Sequence, residues 1–229
     1  ATAWCRCSAP APDLYRSMST PRAFIDPDPA RLDALLDAHP FVTLVTVRDG
    51  APDASHVPVL ARREDGNLVL EGHWARANPQ AHAGEDVLVL VQGPHVYLSA
   101  GWYPDKGERA RVPTWNYVVA HLRGRFERFD DEDALGDLVA RTALRFETGA
   151  GGDWRYDHTD PRERAQLRGI VGFRVRVHTA ELTRKLSQNH PEANRAAVVE
   201  ALQCRPGDDG HAIAALMRDD RTSHTQPEP

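Results

Sequence analysis

Two Asp-Gly pairs, Asp49-Gly50 and Asp65-Gly66, sit between short runs rich in β-branched residues, and this constrains the fold more than any other feature. Asp-Gly between alternating apolar runs is a strong short-range signal for a tight β-hairpin. The flanking runs predict strands over Phe41 to Val47, Ala54 to Ala61 and Asn67 to Gly72. Further on, Val87 to Val91 is wholly apolar and predicts a strand buried on both faces. Gly93-Pro94 breaks it, and His95 to Ser99 resumes extended structure. Asn116 to Phe129 alternates Tyr117, Val119 and His121 against Val118, Ala120 and Leu122. Ile170 to His178 alternates Val171, Phe173, Val175 and Val177 inward against Arg174, Arg176 and His178.

Helical signals do not alternate one for one with these strands. Asp28-Pro29 reads as a cap and first helical residue ahead of Leu32, Leu35 and Leu36, and Pro40 stops that helix. Asp130 to Glu147 carries acids in its first turn and Leu135, Leu138, Val139, Thr142 and Phe146 on one face. A short helix or loop is predicted over His73 to Ala83, a loop over Gly101 to Thr114, and one short helix over Arg162 to Arg168. Two more helices are predicted near 192–203 and 208–218. The pattern excludes a doubly wound parallel sheet and predicts an α+β chain: an antiparallel split barrel of six to seven strands with peripheral helices. Residues 1–17 carry no periodicity and are expected to be a disordered extension, 18–218 a single domain, and 219–229 a polar flexible tail.

The chain has 229 residues, a formal net charge of −5 and 41% hydrophobic residues. Its mixed charge argues against a dedicated DNA-binding domain, which normally carries a basic face. No apolar run reaches the roughly 20 residues of a membrane-spanning helix, and no basic-then-apolar leader is readable, so a cytoplasmic protein is expected. Cys5, Cys7 and Cys204 read as free thiols, with no spacing for a zinc knuckle, so no metal site is expected.

Four segments concentrate polar and aromatic residues: Gly72 to Pro79, Gly93 to Tyr103, Val112 to Tyr117, and Lys185 to Asn189. A doubly charged phosphate calls for charge-assisted donors, and Arg76, Lys185, Ser99, Thr114 and Ser187 are of that type. A flat ring calls for an apolar slot, which Trp102, Tyr103, Trp115 and Tyr117 could wall. Asn78, Asn116, Gln188 and Asn189 could read its polar edge. The reading requires Arg76, Lys185 and the tryptophan-tyrosine loops to share a pocket, within one subunit or across a dimer.

These segments, in this order, resemble the PaiB family, described as FMN-binding negative transcriptional regulators. The resemblance rests on Met18, Pro21 and Phe24, on His39-Pro40-Phe41, on Gly72-His73 with Ala75-Arg76 and Asn78-Pro79, on Gly93-Pro94-His95 with Tyr97 and Trp102-Tyr103, on Val112-Pro113-Thr114-Trp115-Asn116-Tyr117, and on Lys185-Leu186-Ser187-Gln188-Asn189. Ser19, Ala100-Gly101, Ala81 and Asn194 depart from it. It implies a split-barrel homodimer with FMN near the subunit interface and a small-molecule ligand or substrate. His73 joins the cofactor residues on this basis. Some chains similar to this family are haem-dependent piperazate synthases, which close an N–N bond on N-hydroxyornithine. Haem b is thus the alternative cofactor, with His73, His95 or His121 as axial candidates. A flavin oxidoreductase and a cofactor-free interaction protein are the other readings. No nucleophile triad or paired carboxylates can be identified.

Overall fold

The computed structural model describes residues 21–82 and 86–223. The 1–17 extension, Met18, Cys5 and Cys7, and the end of the tail lie outside them. Strands β1 (Ile25–Asp26), β2 (Phe41–Arg48), β3 (Ala51–Pro58), β4 (Leu60–Glu64), β5 (Asn67–Ala75), β6 (Asp86–Leu98), β7 (Thr114–Phe129) and β8 (Ile170–Lys185) form one antiparallel sheet. Its order is β3-β2-β6-β7-β8-β5-β4, with β1 paired to β8. The helices are α1 (Pro29–Ala38), α2 (Glu132–Gly149), α3 (Pro161–Gln166), α4 (Glu192–Gln203) and α5 (Asp208–Ser223).

Both hairpin predictions hold in detail. Asp49 and Gly50 take φ of 52° and 80°, and Asp65 and Gly66 take 49° and 83°. Two successive positive φ values match the right-handed twist of the strands they join. The run predicted as one strand over 54–61 is instead β3 and β4, broken at Val59. Its N–H donates to the Pro40 carbonyl, and the chain leaves β2 to pair with β5. The predicted helix or loop from His73 begins as strand, because His73 pairs with Gly172 on β8. Among the described residues of that run, only Pro79–His82 turns helically.

Gly72 shows why the sheet closes where it does. A Cβ there would lie 2.5 Å from the Phe173 ring and 2.9 Å from the Pro58 carbonyl oxygen. Leu44, Leu70, Val89, Leu122, Phe173 and Val175 fill the interior, all inaccessible to solvent. Trp74 packs between Phe126 and Phe173 with ring centroids 4.9 and 4.8 Å away. Burial of such side chains is worth about 2 kcal/mol each.

Glu71 lies on the opposite face of β5 from Trp74. It is 2% exposed and accepts from Arg62 Nε (3.1 Å), Arg174 Nη2 (2.7 Å) and Arg141 Nη1 (3.0 Å). One carboxylate thus ties β4, β8 and α2 to β5. Burial pushes its pKa up, but hydrogen bonds from Arg62 and Arg174 and the charges of Arg141 and Arg62 outweigh this and hold it at about 2.

The C-terminal boundary differs from the expectation. Asp219 and Asp220 belong to α5, and Asp220 is buried between Arg184 (3.8 Å) and Arg195 (3.7 Å). Arg184 also pairs with Asp26 at 2.9 Å. The residues look like solvated tail because their partners are distant in sequence. Asp220→Ala should destabilise the protein by about 3 kcal/mol, since it takes the carboxylate away from the buried Arg195 guanidinium, while Arg184 keeps Asp26. Urea unfolding of the two proteins measures this, and a difference below about 0.5 kcal/mol would refute it.

Candidate functional site

The last turn of β6, the start of β7 and the end of β8 meet at one end of the sheet. Antiparallel partners share a face, so the register places Tyr97 beside Trp115, and His95 and Lys185 on either side of Tyr117. The same face continues through Val119, His121 and Leu90 to Thr43. Gly93-Pro94 does not break the strand as expected. The register shifts between Gln92 and His95, and pairing then resumes.

This face carries an exposed aromatic wall. Trp115 is 49% and Tyr97 47% exposed, packed edge to face at 6.0 Å. The His95 ring stacks on Trp115 at 6.2 Å. Lys185 Nζ donates to Thr114 Oγ1 at 2.6 Å and sits 5.9 Å from the centre of the Tyr117 ring. Burial lowers the pKa of this ammonium. The arrangement offers a flat, half-exposed apolar surface with one cation and one hydroxyl at its margin, which suits a planar anion.

Behind the wall the motif residues hold one another. Asn116 is fully buried and exchanges hydrogen bonds with Ser187 Oγ. Ser187 sits at φ 60°. Gln188 accepts from the Leu186 N–H at 2.7 Å and donates to the Arg184 carbonyl at 2.5 Å. Ser99 accepts from the Gly101 N–H and so caps the turn that carries Trp102. Trp102 lies under the Arg205 guanidinium at 5.5 Å. Tyr103 is buried and stacks on His190 at 4.8 Å, nearly parallel at 9°. Burial lowers the His190 pKa, as do the charges of Arg111 and Lys185, against the opposing charge of Asp105. Asn189 is exposed.

Three of the four motif segments therefore meet, and the first does not join them. Arg76 donates to the carbonyls of Arg168 (2.8 Å) and Ile170 (2.9 Å), where β8 begins. Lys185 ends that 16-residue strand. Asn78 donates to Ser55 Oγ at 2.8 Å and accepts from the Gln80 N–H, next to the β2–β3 hairpin. Within one chain, Arg76 stands at the start of β8 and Lys185 at its end. Of the axial candidates, His95 and His121 lie on the aromatic wall's face. His73 lies on the Glu71 side of β5, where burial lowers its pKa. Burial also lowers the pKa of His121, as does Arg123, against the opposing charge of Glu181.

Tyr97, Arg111 and His190 were absent from the sequence-based site. Tyr97 was legible from its two-residue spacing to His95. Arg111 and His190 flank motifs without a signal of their own. Among the described residues no group of three or more His, Cys, Asp or Glu side chains is placed to hold a metal, and no helix is long and apolar enough to cross a membrane.

Comparison with known proteins agrees with this architecture. Solved structures similar to it include the flavocytochrome Anf3 from Azotobacter vinelandii, with a TM-score of 0.57, 17% identity and coverage of 77% of this chain and 78% of that one. The FAD and heme binding protein from Mycobacterium smegmatis aligns with a TM-score of 0.55 and 22% identity over 76% of this chain and 78% of that one. At these identities the likeness shows the fold. In sequence, the chain is 36% identical over 183 residues to the protease synthase and sporulation protein PAI 2 of Bacillus subtilis (strain 168), covering 78% of this chain and 86% of the relative. Residues 18–179 match the family described as "Putative FMN-binding domain". With the split barrel, the aromatic wall and these matches together, the chain belongs to the PaiB family of FMN-binding proteins.

Proposed function

We propose that the protein works as a cytoplasmic homodimer that holds FMN on the open face of β6, β7 and β8, with a second copy completing the site. One observation carries this. The run Val87 to Val91 has the composition of a strand covered on both sides, yet only Val87, Val89 and Val91 are buried, while Leu88 and Leu90 stay half-exposed. On the same face Phe41 is 66% and Val47 60% exposed. An apolar sheet face of this extent marks an association surface. A partner there also offers a way to bring Arg76 and Asn78 of one chain toward Lys185 of the other.

In this reading Trp115, Tyr97 and Tyr117 cover the ring and exclude water, and Lys185 and Thr114 supply donors to its negative groups. Asn116, Ser187 and Gln188 fix the Lys185 backbone. Bound FMN supplies one- or two-electron transfer to a small molecule. For the regulatory role implied by the family's description, we favour an output through that ligand over direct DNA contact. The first turn of α5 carries Asp208 and Asp209. Arg176 is neutralised by Glu64 and Glu127. Neither offers the basic surface that phosphate contacts need.

The absorption spectrum of the freshly purified protein, read with its solution mass, is the test. A flavin spectrum on a dimer is expected. Trp115→Ala should weaken FMN binding roughly tenfold or more with an unchanged unfolding midpoint, because the side chain is half in water. Full flavin retention in that variant would sink the assignment. Haem b is the second reading, favoured by the placement of His95 and His121 on this same face. An intense Soret band would select it, and with it a piperazate synthase-like activity.

A further inference from the structure

A second site lies away from the aromatic wall. A cavity of about 420 Å³ opens between α1, β4 and α2. Its floor is aliphatic: Leu36, Val59 and Leu68 are buried there and Leu60 is half-buried. Its volume falls in the range of small-molecule sites, and such sites pair an apolar lining with a few placed polar groups. No aromatic ring lines it, so a flat stacked ligand gains little there.

The rim supplies the polar group. Arg62 is fully engaged by Glu64 and Glu71. Arg63 is engaged by Asp33 and the Gly66 carbonyl. Arg145 differs from both. Only its Nη2 is engaged, donating to the carbonyl (2.9 Å) and the carboxylate of Asp37. Nε and Nη1 have no hydrogen-bond partner among the described residues, and each flanks Nη2, so a carboxylate that displaces the Asp37 side chain meets a complete edge of the guanidinium fork. Such an edge, Nη1–Nη2 or Nε–Nη2, matches a carboxylate in two-pronged geometry. Asp37 is 74% exposed, so a carboxylate that displaces its side chain disturbs no buried pair. A second cavity of about 430 Å³, bordered by Leu144 and Thr148, also reaches Arg145. The cation therefore stands between two apolar recesses.

We propose that this cavity binds an aliphatic monocarboxylate with a saturated chain of roughly six to ten carbons. The chain lies on the leucine-valine floor and the carboxylate takes an edge of Arg145 in place of the Asp37 side chain. The site is separate from the FMN face and does not depend on that reading.

Isothermal titration of the purified holoprotein with octanoate, kept below its micelle concentration, tests it. One saturable site is expected. Arg145→Gln should weaken binding roughly tenfold, and so should Ala61→Phe, which puts a ring into the cavity from the exposed side of β4. Octan-1-ol, which lacks the charge, should bind at least tenfold more weakly than octanoate. Both variants should keep the wild-type flavin content and unfolding midpoint. If Ala61→Phe lowers the midpoint, the Arg145→Gln result decides. No saturable heat, unchanged affinity in Arg145→Gln, or loss of binding in Trp115→Ala would overturn the proposal. The last outcome would place octanoate on the FMN face.

Discussion

Glu71→Gln is expected to lower the stability of the protein by about 3 kcal/mol at neutral pH and by almost nothing near pH 2. The carboxyl is 2% exposed, and its pKa falls from an ordinary 4.5 to about 2 in the fold. A depressed carboxylate contributes its stability above its unfolded pKa and loses it as pH falls through the folded value. The wild-type contribution should therefore be complete above about pH 5 and fade between there and pH 2. Glutamine keeps the shape and removes the charge, so Arg62, Arg141 and Arg174 lose the anion at which they meet. Urea unfolding of both proteins at a series of pH values provides the check. A stability gap that stays constant from pH 7 to pH 3 would show that charge is not what the site contributes.

Gly124→Ala should be the most damaging single-methyl addition in the barrel. A Cβ at this position would lie 2.6 Å from the Arg176 carbonyl oxygen and 2.6 Å from Val175 Cγ1. The first is strand backbone, which cannot rotate away. Relief requires β7 and β8 to separate where their register shifts, between Arg123 and Gly124. Overpacking of this kind costs about 3 kcal/mol or more. Gly107→Ala is the matched control, because nothing lies within 4 Å of the added atom. The expected result is a sharp drop in the urea midpoint, or loss of soluble protein, for the first and a change within about 0.5 kcal/mol for the second. Equal midpoints would mean that the strands tolerate separation here.

Local chemistry was legible in the sequence, and long-range closure was not. The Asp-Gly turns and the alternation around Val119 and His121 appear where the residues place them, since turn geometry and side-chain period are properties of neighbours. The break at Val59 was hidden, because it depends on β4 pairing with β5 rather than continuing along β2. The second half of β8 was hidden too. The outward positions Arg176 and His178 run straight into Thr179 at the register shift, which erases the two-residue period. The same limit applies at the site. Segments 99–103, 114–117 and 185–189 come together because β6, β7 and β8 are adjacent. The segment around Arg76 belongs to β5, whose place across β8 no local pattern announces.

The register shift at Gly93-Pro94 acts on the parity of everything after it. Before it, even-numbered side chains such as Leu88 and Leu90 point toward the open face; after it, the odd-numbered His95 and Tyr97 do. A regular strand of the same length would turn the imidazole and the phenol into the barrel interior and bring Val96 and Leu98 out in their place, whereas deleting the one extra residue would leave both on the open face. What the wall beside Trp115 can recognise is therefore set by a count of residues as much as by their identity.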